Sequence, residues 1–125
     1  MKIRLTGIYV IDPIKTHAFY TSTLGFKSLM LNEEYQLAIV VSPEDPKGTA
    51  LLLEPNSNHT DSNYQQEIYQ QSLPVIVLGV ENVQSKFIEL IEKGIHFIQK
   101  PISNDFGTQV IFDDTCGNLI QIYQD

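Results

Sequence analysis

Residues 8–26 read Ile-Tyr-Val-Ile-Asp-Pro-Ile-Lys-Thr-His-Ala-Phe-Tyr-Thr-Ser-Thr-Leu-Gly-Phe, and residues 78–97 repeat their plan as Leu-Gly-Val-Glu-Asn-Val-Gln-Ser-Lys-Phe-Ile-Glu-Leu-Ile-Glu-Lys-Gly-Ile-His-Phe. Each stretch runs from an apolar strand end through a capping residue into a helix and a glycine stop. In the first, Asp12 is the cap and Pro13 takes the first helical position, where its missing N–H costs nothing. Ile14, Ala18 and Phe19 follow at helical spacing, and Gly25 ends the helix. In the second, Asn82 caps, Phe87, Leu90 and Ile91 share one helical face, and Gly94 stops.

Working outward, residues 3–10 before the first helix form a strand rich in β-branched and aromatic side chains. After it come apolar runs at 26–31 and 35–41, a turn by composition at 42–48, and a continuous apolar strand at 49–54. The second half repeats this order with strands at 73–80, 95–98, 108–112 and 118–123. Val10 matches Val80, Asp12 matches Asn82, and Gly25 matches Gly94, with offsets of about 70 residues. Between the halves lies a polar stretch in which Ser62 and Gln65 have capping-box spacing, predicting a short helix through Tyr64, Ile68 and Tyr69. The reading is one domain over residues 1–125, with a βαβββ module at about 1–55, a linker with a short helix at about 56–72, and a second module at about 73–125.

The bulk numbers narrow the function classes. A hydrophobic fraction of 42% supports an ordinary core, and the net charge of −7, with only 8 scattered Lys and Arg, argues against nucleic acid and anionic membranes. No apolar stretch reaches a membrane span, and residues 1–7 offer no signal-peptide core, so a cytoplasmic protein is expected. Cys116 is the only cysteine, which forbids an internal disulfide. Beside Asp113 and Asp114 its thiol is a poor nucleophile, and it reads as a turn residue. His17 reads as an exposed or helix-flank residue, His59 as exposed, and His96 as a strand start; the three form no ligand cluster. Phosphate-loop spacing is also missing.

The order of elements, together with Asp12-Pro13, Phe19-Tyr20, Leu24-Gly25-Phe26 and the closing Asp114-Thr-Cys-Gly-Asn-Leu-Ile-Gln121, resembles the glyoxalase/bleomycin-resistance/extradiol-dioxygenase (vicinal oxygen chelate) superfamily. The resemblance covers essentially the whole chain. It implies an α+β fold: two βαβββ modules forming a curved mixed sheet cup, with helices outside. It also implies a homodimer, since many relatives complete the cup with a second chain.

Metal-using members of that superfamily place ligands early in the first strand and within the last strand of each half. Carried onto this chain, the last-strand positions are Glu54 and Gln121, and the first-strand positions are Leu5 and Val75. Leu5 and Val75 cannot ligate. The resemblance therefore implies that a divalent metal, if one binds, is held by Glu54 and Gln121, whereas two such ligands are too few for a firm site. Alternation places Tyr9, Leu5, Leu52, Glu54, Val75, Val77, Leu119, Gln121 and Tyr123 toward the cup. Glu54, after three leucines, is the one candidate catalytic group, as a general base or polar anchor; the other reading makes it a family relic hydrogen-bonded to a neighbour.

Such a lining suits a small, largely apolar or aromatic molecule bound without metal or other cofactor. Two other readings compete with it. One is a divalent-metal-dependent lyase, isomerase or dioxygenase using Glu54 and Gln121. The other is a structural or interaction domain without ligand. Whether the protein is an enzyme is left open by metal positions that are only half retained.

Overall fold

A computed structural model describes residues 1–124. The chain divides into two compact units, Met1–Gln65 and the part from Gln66 onward. Each contains one mixed sheet with a helix on it, and the architecture is α+β, as the family resemblance implied.

In the first unit, β1 (Leu5–Val10) leads into α1 (Pro13–Ala18), followed by β2 (Lys27–Asn32), β3 (Leu37–Val41) and β4 (Ala50–Pro55) in the spatial order β1-β4-β3-β2. β1 and β4 are parallel; the β4–β3 and β3–β2 pairs are antiparallel. The Asp12 carboxylate accepts from the Ile14 and Lys15 amides, as the cap reading requires. Beyond α1, residues Phe19–Thr23 widen into a π-type turn, with Leu24 N–H donating to the Phe19 carbonyl at 3.2 Å. Gly25 then adopts φ +82°, the left-handed conformation that glycine enters without a Cβ clash.

The core of this unit lies between α1 and the sheet. Ile8, Val10, Ala38, Val40, Leu51 and Leu53 are buried there with Tyr20, whose ring packs edge-on against Phe26 at 5.3 Å. Burial of each larger apolar side chain contributes about 2 kcal/mol. His17 departs from its reading as an exposed or flanking residue. It is buried, with its Nε2 hydrogen-bonded to Ser28 Oγ at 2.8 Å. Helix phase decides this, because His17 and Thr16 both turn toward the sheet.

α2 (His59–Gln70) begins earlier than the Ser62 cap reading placed it. Asn58 is the residue that caps, its Oδ1 accepting from Asp61 N at 2.8 Å while its amide donates to the Asp61 carboxylate.

The second unit contains β5 (Ile76–Gly79), α3 (Val83–Glu92), β6 (His96–Phe97), β7 (Ile102–Asn104), β8 (Gly107–Asp113) and β9 (Leu119–Gln124). The sheet order is β5-β9-β8-β6, with β7 also pairing with β8. β5 and β9 are parallel, as β1 and β4 are. Asn82 caps α3 by accepting from Ser85 N, and Gly94 repeats Gly25 at φ +86°. The core joins Val83 and Leu90 of α3 to Val110, Phe112, Ile120 and Ile122. Phe97 stacks on Phe87 at 4.6 Å and meets Phe112 edge-on. Strand β7 was not foreseen: Ile-Ser-Asn is three exposed residues with no apolar alternation to reveal it.

Candidate functional site

Parallel pairing puts facing residues of β1 and β4 on the same side of the sheet. Leu5 pairs with Ala50, Gly7 with Leu52, and Tyr9 with Glu54. The alternate set, Ile8 with Leu53 and Thr6 with Leu51, lies on the other side, where α1 packs against β2, β3 and β4. Ile39, opposite both Leu52 and Met30, extends the helix-free face across the sheet. Of the sequence-expected residues, the first sheet therefore brings together Leu5, Tyr9, Leu52 and Glu54. Leu5 is 48% exposed, whereas Val10 on the opposite face is fully covered. That difference marks the helix-free face as the available one.

The polar end of this face is built around Tyr9. Its phenol donates a hydrogen bond to the Asp61 carboxylate, and its ring meets Tyr64 edge-on at 6.4 Å. The Asp61 charge, then that hydrogen bond, then burial, with smaller effects of Glu54 and Tyr64, hold the phenol above its ordinary pKa. Glu54 leans along the sheet over Gly7, where a Cβ would come within 3.3 Å of its Oε2. Gln65, only 3% exposed, ties the first half of α2 to this end. Its amide donates to the Tyr9 carbonyl at 3.0 Å and accepts from Asn56 Nδ2 at 2.6 Å. Asp61, Tyr64 and Gln65 were missed as site residues. Their sequence signal was a polar stretch read as linker, and the cap placed at Ser62 gave no indication of which helical face meets β1.

The second sheet repeats the arrangement. Val77 pairs with Gln121 and Gly79 with Tyr123 across the parallel β5–β9 ladder, while Ile111 and Gln109 face the same two residues from β8. Val77 is 54% exposed on this helix-free face. The Gln121 amide donates to Gln109 Oε1 at 2.5 Å, and the Tyr123 hydroxyl donates to the Phe106 carbonyl. Two expected residues are placed differently. Val75 precedes β5 and is held by its N–H to the Leu119 carbonyl, while Leu119 has the right alternation but a buried side chain.

Closing the β8–β9 connection, Asp114 is fully buried and its Oδ1 accepts from the Cys116 and Asn118 amides at 2.7 and 3.0 Å. Burial pushes its carboxyl up to about 6, against the opposing pull of those two amides. Cys116 is buried in this turn and offers no exposed thiol. His59 and His96 are exposed, His59 hydrogen-bonded to Asn63 at 3.0 Å.

The donor chemistry does not fit a catalytic divalent metal. Leu5 stands on β1 where a ligand would be needed, with Gly7 beside it offering no side chain. Gln121 is a neutral amide and a weak ligand for such a metal, with its Nε2 hydrogen-bonded to Gln109 Oε1. Among the described residues no three His, Cys, Asp or Glu side chains cluster, fewer than the three protein ligands such a site uses.

Comparison with known proteins places the fold. The family model described as Glyoxalase/Bleomycin resistance protein/Dioxygenase superfamily matches residues 2–122. An uncharacterised Bacillus subtilis (strain 168) protein, YurT, is 42% identical over 126 residues, covering 99% of both chains. Among solved structures, UcmS2 superposes with a TM-score of 0.82 at 27% identity, over 98% of this chain and 97% of that one. TnmS3, an antibiotic binding protein from Streptomyces sp. CB03234, has a TM-score of 0.73 at 23% identity, over 99% of this chain and 95% of that one, a likeness of fold. With the family model matched across nearly its whole length, the chain belongs to the glyoxalase/bleomycin resistance protein/dioxygenase superfamily.

Proposed function

We propose that this protein binds a small, largely apolar or aromatic molecule on its helix-free sheet surface, without a metal or other cofactor. The observation that carries the reading is the first sheet's open face. Leu5, Met30, Ile39 and Leu52 offer apolar side chains there, while Tyr9 and Glu54 confine polarity to one end. Ligand surfaces of this kind use apolar area for affinity and a few placed polar groups for orientation. TnmS3, an antibiotic binding protein of the same fold, supports this reading. Glu54 serves here as a hydrogen-bond acceptor for the ligand rather than as a general base. We place the protein in the cytosol as a homodimer. No helix among the described residues is long and apolar enough to cross a membrane.

The test is fluorescence titration with the neutral aromatic probe N-phenyl-1-naphthylamine, with and without excess EDTA. Saturable binding that is unchanged by EDTA and weakened several-fold by Leu52→Asp is expected. Stoichiometric Ni, Zn, Mn or Fe in protein purified without chelator, lost in Glu54→Ala together with binding, would overturn it.

A further inference from the structure

At the opposite end of β1 from Tyr9, a cleft of about 510 Å³ opens between Arg4, Leu5, Leu29, Pro46, Lys47 and Ala50. Its walls are aliphatic, yet both charged residues that line it are cations. This is notable in a chain with net charge −7 and only 8 Lys and Arg. Ion pairs among the described residues belong to Lys86 and Lys93 with Glu89, so neither Arg4 nor Lys47 is neutralised by a partner. Their backbone is held in place. The Arg4 carbonyl accepts from Ala50 N at 3.0 Å, and the neighbouring Ile3 carbonyl accepts from Thr49 Oγ1 at 2.7 Å. Lys47 rides on a turn closed by Gly48 N–H to the Asp45 carbonyl at 3.0 Å. The Asp45 carboxylate folds against Gly48 in the same turn.

We infer that this cleft takes the head group of an amphiphilic anion, a carboxylate or sulfonate whose apolar body lies on Leu5 and runs along the helix-free face toward Leu52. The inference rests on the reading of that face as a small-molecule surface and adds the charge and direction of the ligand. Leu5 joins the two regions, because it lines the cleft and shares its face with Gly7 and Tyr9. Direction follows from charge. On β1 the face runs from Leu5 at the cleft, where Arg4 and Lys47 stand, to Tyr9, which pairs with Glu54 and meets Asp61, a span of roughly 13 Å at strand rise. An anionic head is attracted at the first end and repelled at the second, whereas a neutral ligand has no such preference. Guanidinium offers the carboxylate a bidentate fork, and Lys47 adds a point charge.

The experiment compares two probes with the same aromatic body, 8-anilinonaphthalene-1-sulfonate and neutral N-phenyl-1-naphthylamine, on the full chain. The sulfonate should bind more tightly despite the protein's overall negative charge, and its advantage should fall as salt rises from about 0.05 to 0.5 M. In Arg4→Glu/Lys47→Glu the sulfonate should lose about tenfold or more in affinity, while the neutral probe is unaffected. Circular dichroism of that variant confirms an unchanged fold; both sites are exposed, and Arg4→Ala/Lys47→Ala gives the same ordering with a smaller loss. Equal binding of the two probes, or a sulfonate affinity indifferent to both variants, overturns the anion assignment while leaving the apolar surface standing. Failure of both probes overturns the apolar reading as well.

Discussion

The Glu54 carboxylate lies over Gly7 of the adjacent strand, so close that a Cβ on the glycine would come 3.3 Å from Glu54 Oε2. The missing side chain opens the space into which the acid leans. Gly7 pairs with Leu52 in an ordinary strand register and has no positive φ, so its value lies in that space rather than in backbone freedom. Gly7→Ala should therefore change stability by less than about 1 kcal/mol, with improved strand propensity offsetting mild crowding. Gly7→Leu should displace Glu54, fill the open face and weaken N-phenyl-1-naphthylamine binding at least tenfold with the fold retained. Titrations and thermal melts of the two variants check this. Unaltered binding in Gly7→Leu would remove the face from the site.

Tyr9 and Asp61 give a second test. The Asp61 charge is the largest cause of the raised Tyr9 pKa, and the phenol's hydrogen bond to the carboxylate is the next. Both stabilise the neutral phenol against the phenolate. In Asp61→Asn the Tyr9 pKa should fall toward its ordinary value, observable as an earlier onset of the ring chemical-shift change in a pH titration of ring-labelled tyrosine. Tyr69, raised chiefly by its hydrogen bond to Asp113, serves as the internal reference and should not move. A Tyr9 titration identical in both proteins would show that the pair does not exist in solution.

Why the sequence disclosed so much of the fold and less of the site follows from these examples. Asp12, Asn82, Gly25 and Gly94 act locally: a carboxylate or amide reaches its own helix, and a glycine turns its own chain, so their meaning travels with the residue. Strand alternation similarly put Leu5 and Tyr9 on one face. Helix phase and register require the partner. The burial of His17 depends on where Ser28 lies, and the role of Asp61 depends on which turn of α2 reaches Tyr9. Leu119 and Gln121 share an alternation, yet Leu119 is buried and Gln121 half-buried, because neighbours as well as parity decide exposure. The cleft at Arg4 and Lys47 joins residues more than forty positions apart and left no local trace.

Asp114 predicts how stability varies with pH. Its carboxyl is raised to about 6 in the folded protein, mainly by burial, from an ordinary value of 3.8 in the unfolded chain. The folded state thus binds this proton more tightly. The stability it contributes is fully present below about pH 4 and is lost as pH rises through 6, a total of about 3 kcal/mol. Urea denaturation between pH 8 and pH 5 should show stability increasing toward acid from this residue. Asp114→Asn keeps an oxygen for the Cys116 and Asn118 amides but cannot titrate, so its profile should be flatter over that interval by about 1.4 kcal/mol, the part of the total that falls between pH 8 and pH 5. Parallel profiles for the two proteins would place the Asp114 carboxyl in contact with water.

The same turn holds a strained residue one position on. Thr115 has φ +61°, the left-handed region that a β-branched side chain occupies at a cost of about 1–2 kcal/mol. What holds it there is a pair of Asx bonds. Asp113 Oδ1 accepts from Thr115 N at 2.7 Å, and Asp114 Oδ1 accepts from Cys116 N at 2.7 Å, so the backbone is fixed from both sides of the peptide. Thr115→Gly or Thr115→Asn should keep both bonds and relieve the clash. Each should stabilise the protein by about 1 kcal/mol, Asn the more reliably because it does not enlarge the unfolded ensemble as Gly does. Thr115 belongs to the second unit, and Tyr9, Glu54 and the Arg4 cleft belong to the first, so probe affinity should be unchanged while the urea midpoint rises. A lower midpoint in Thr115→Asn would mean that the Thr115 methyl packs favourably enough to outweigh its backbone strain.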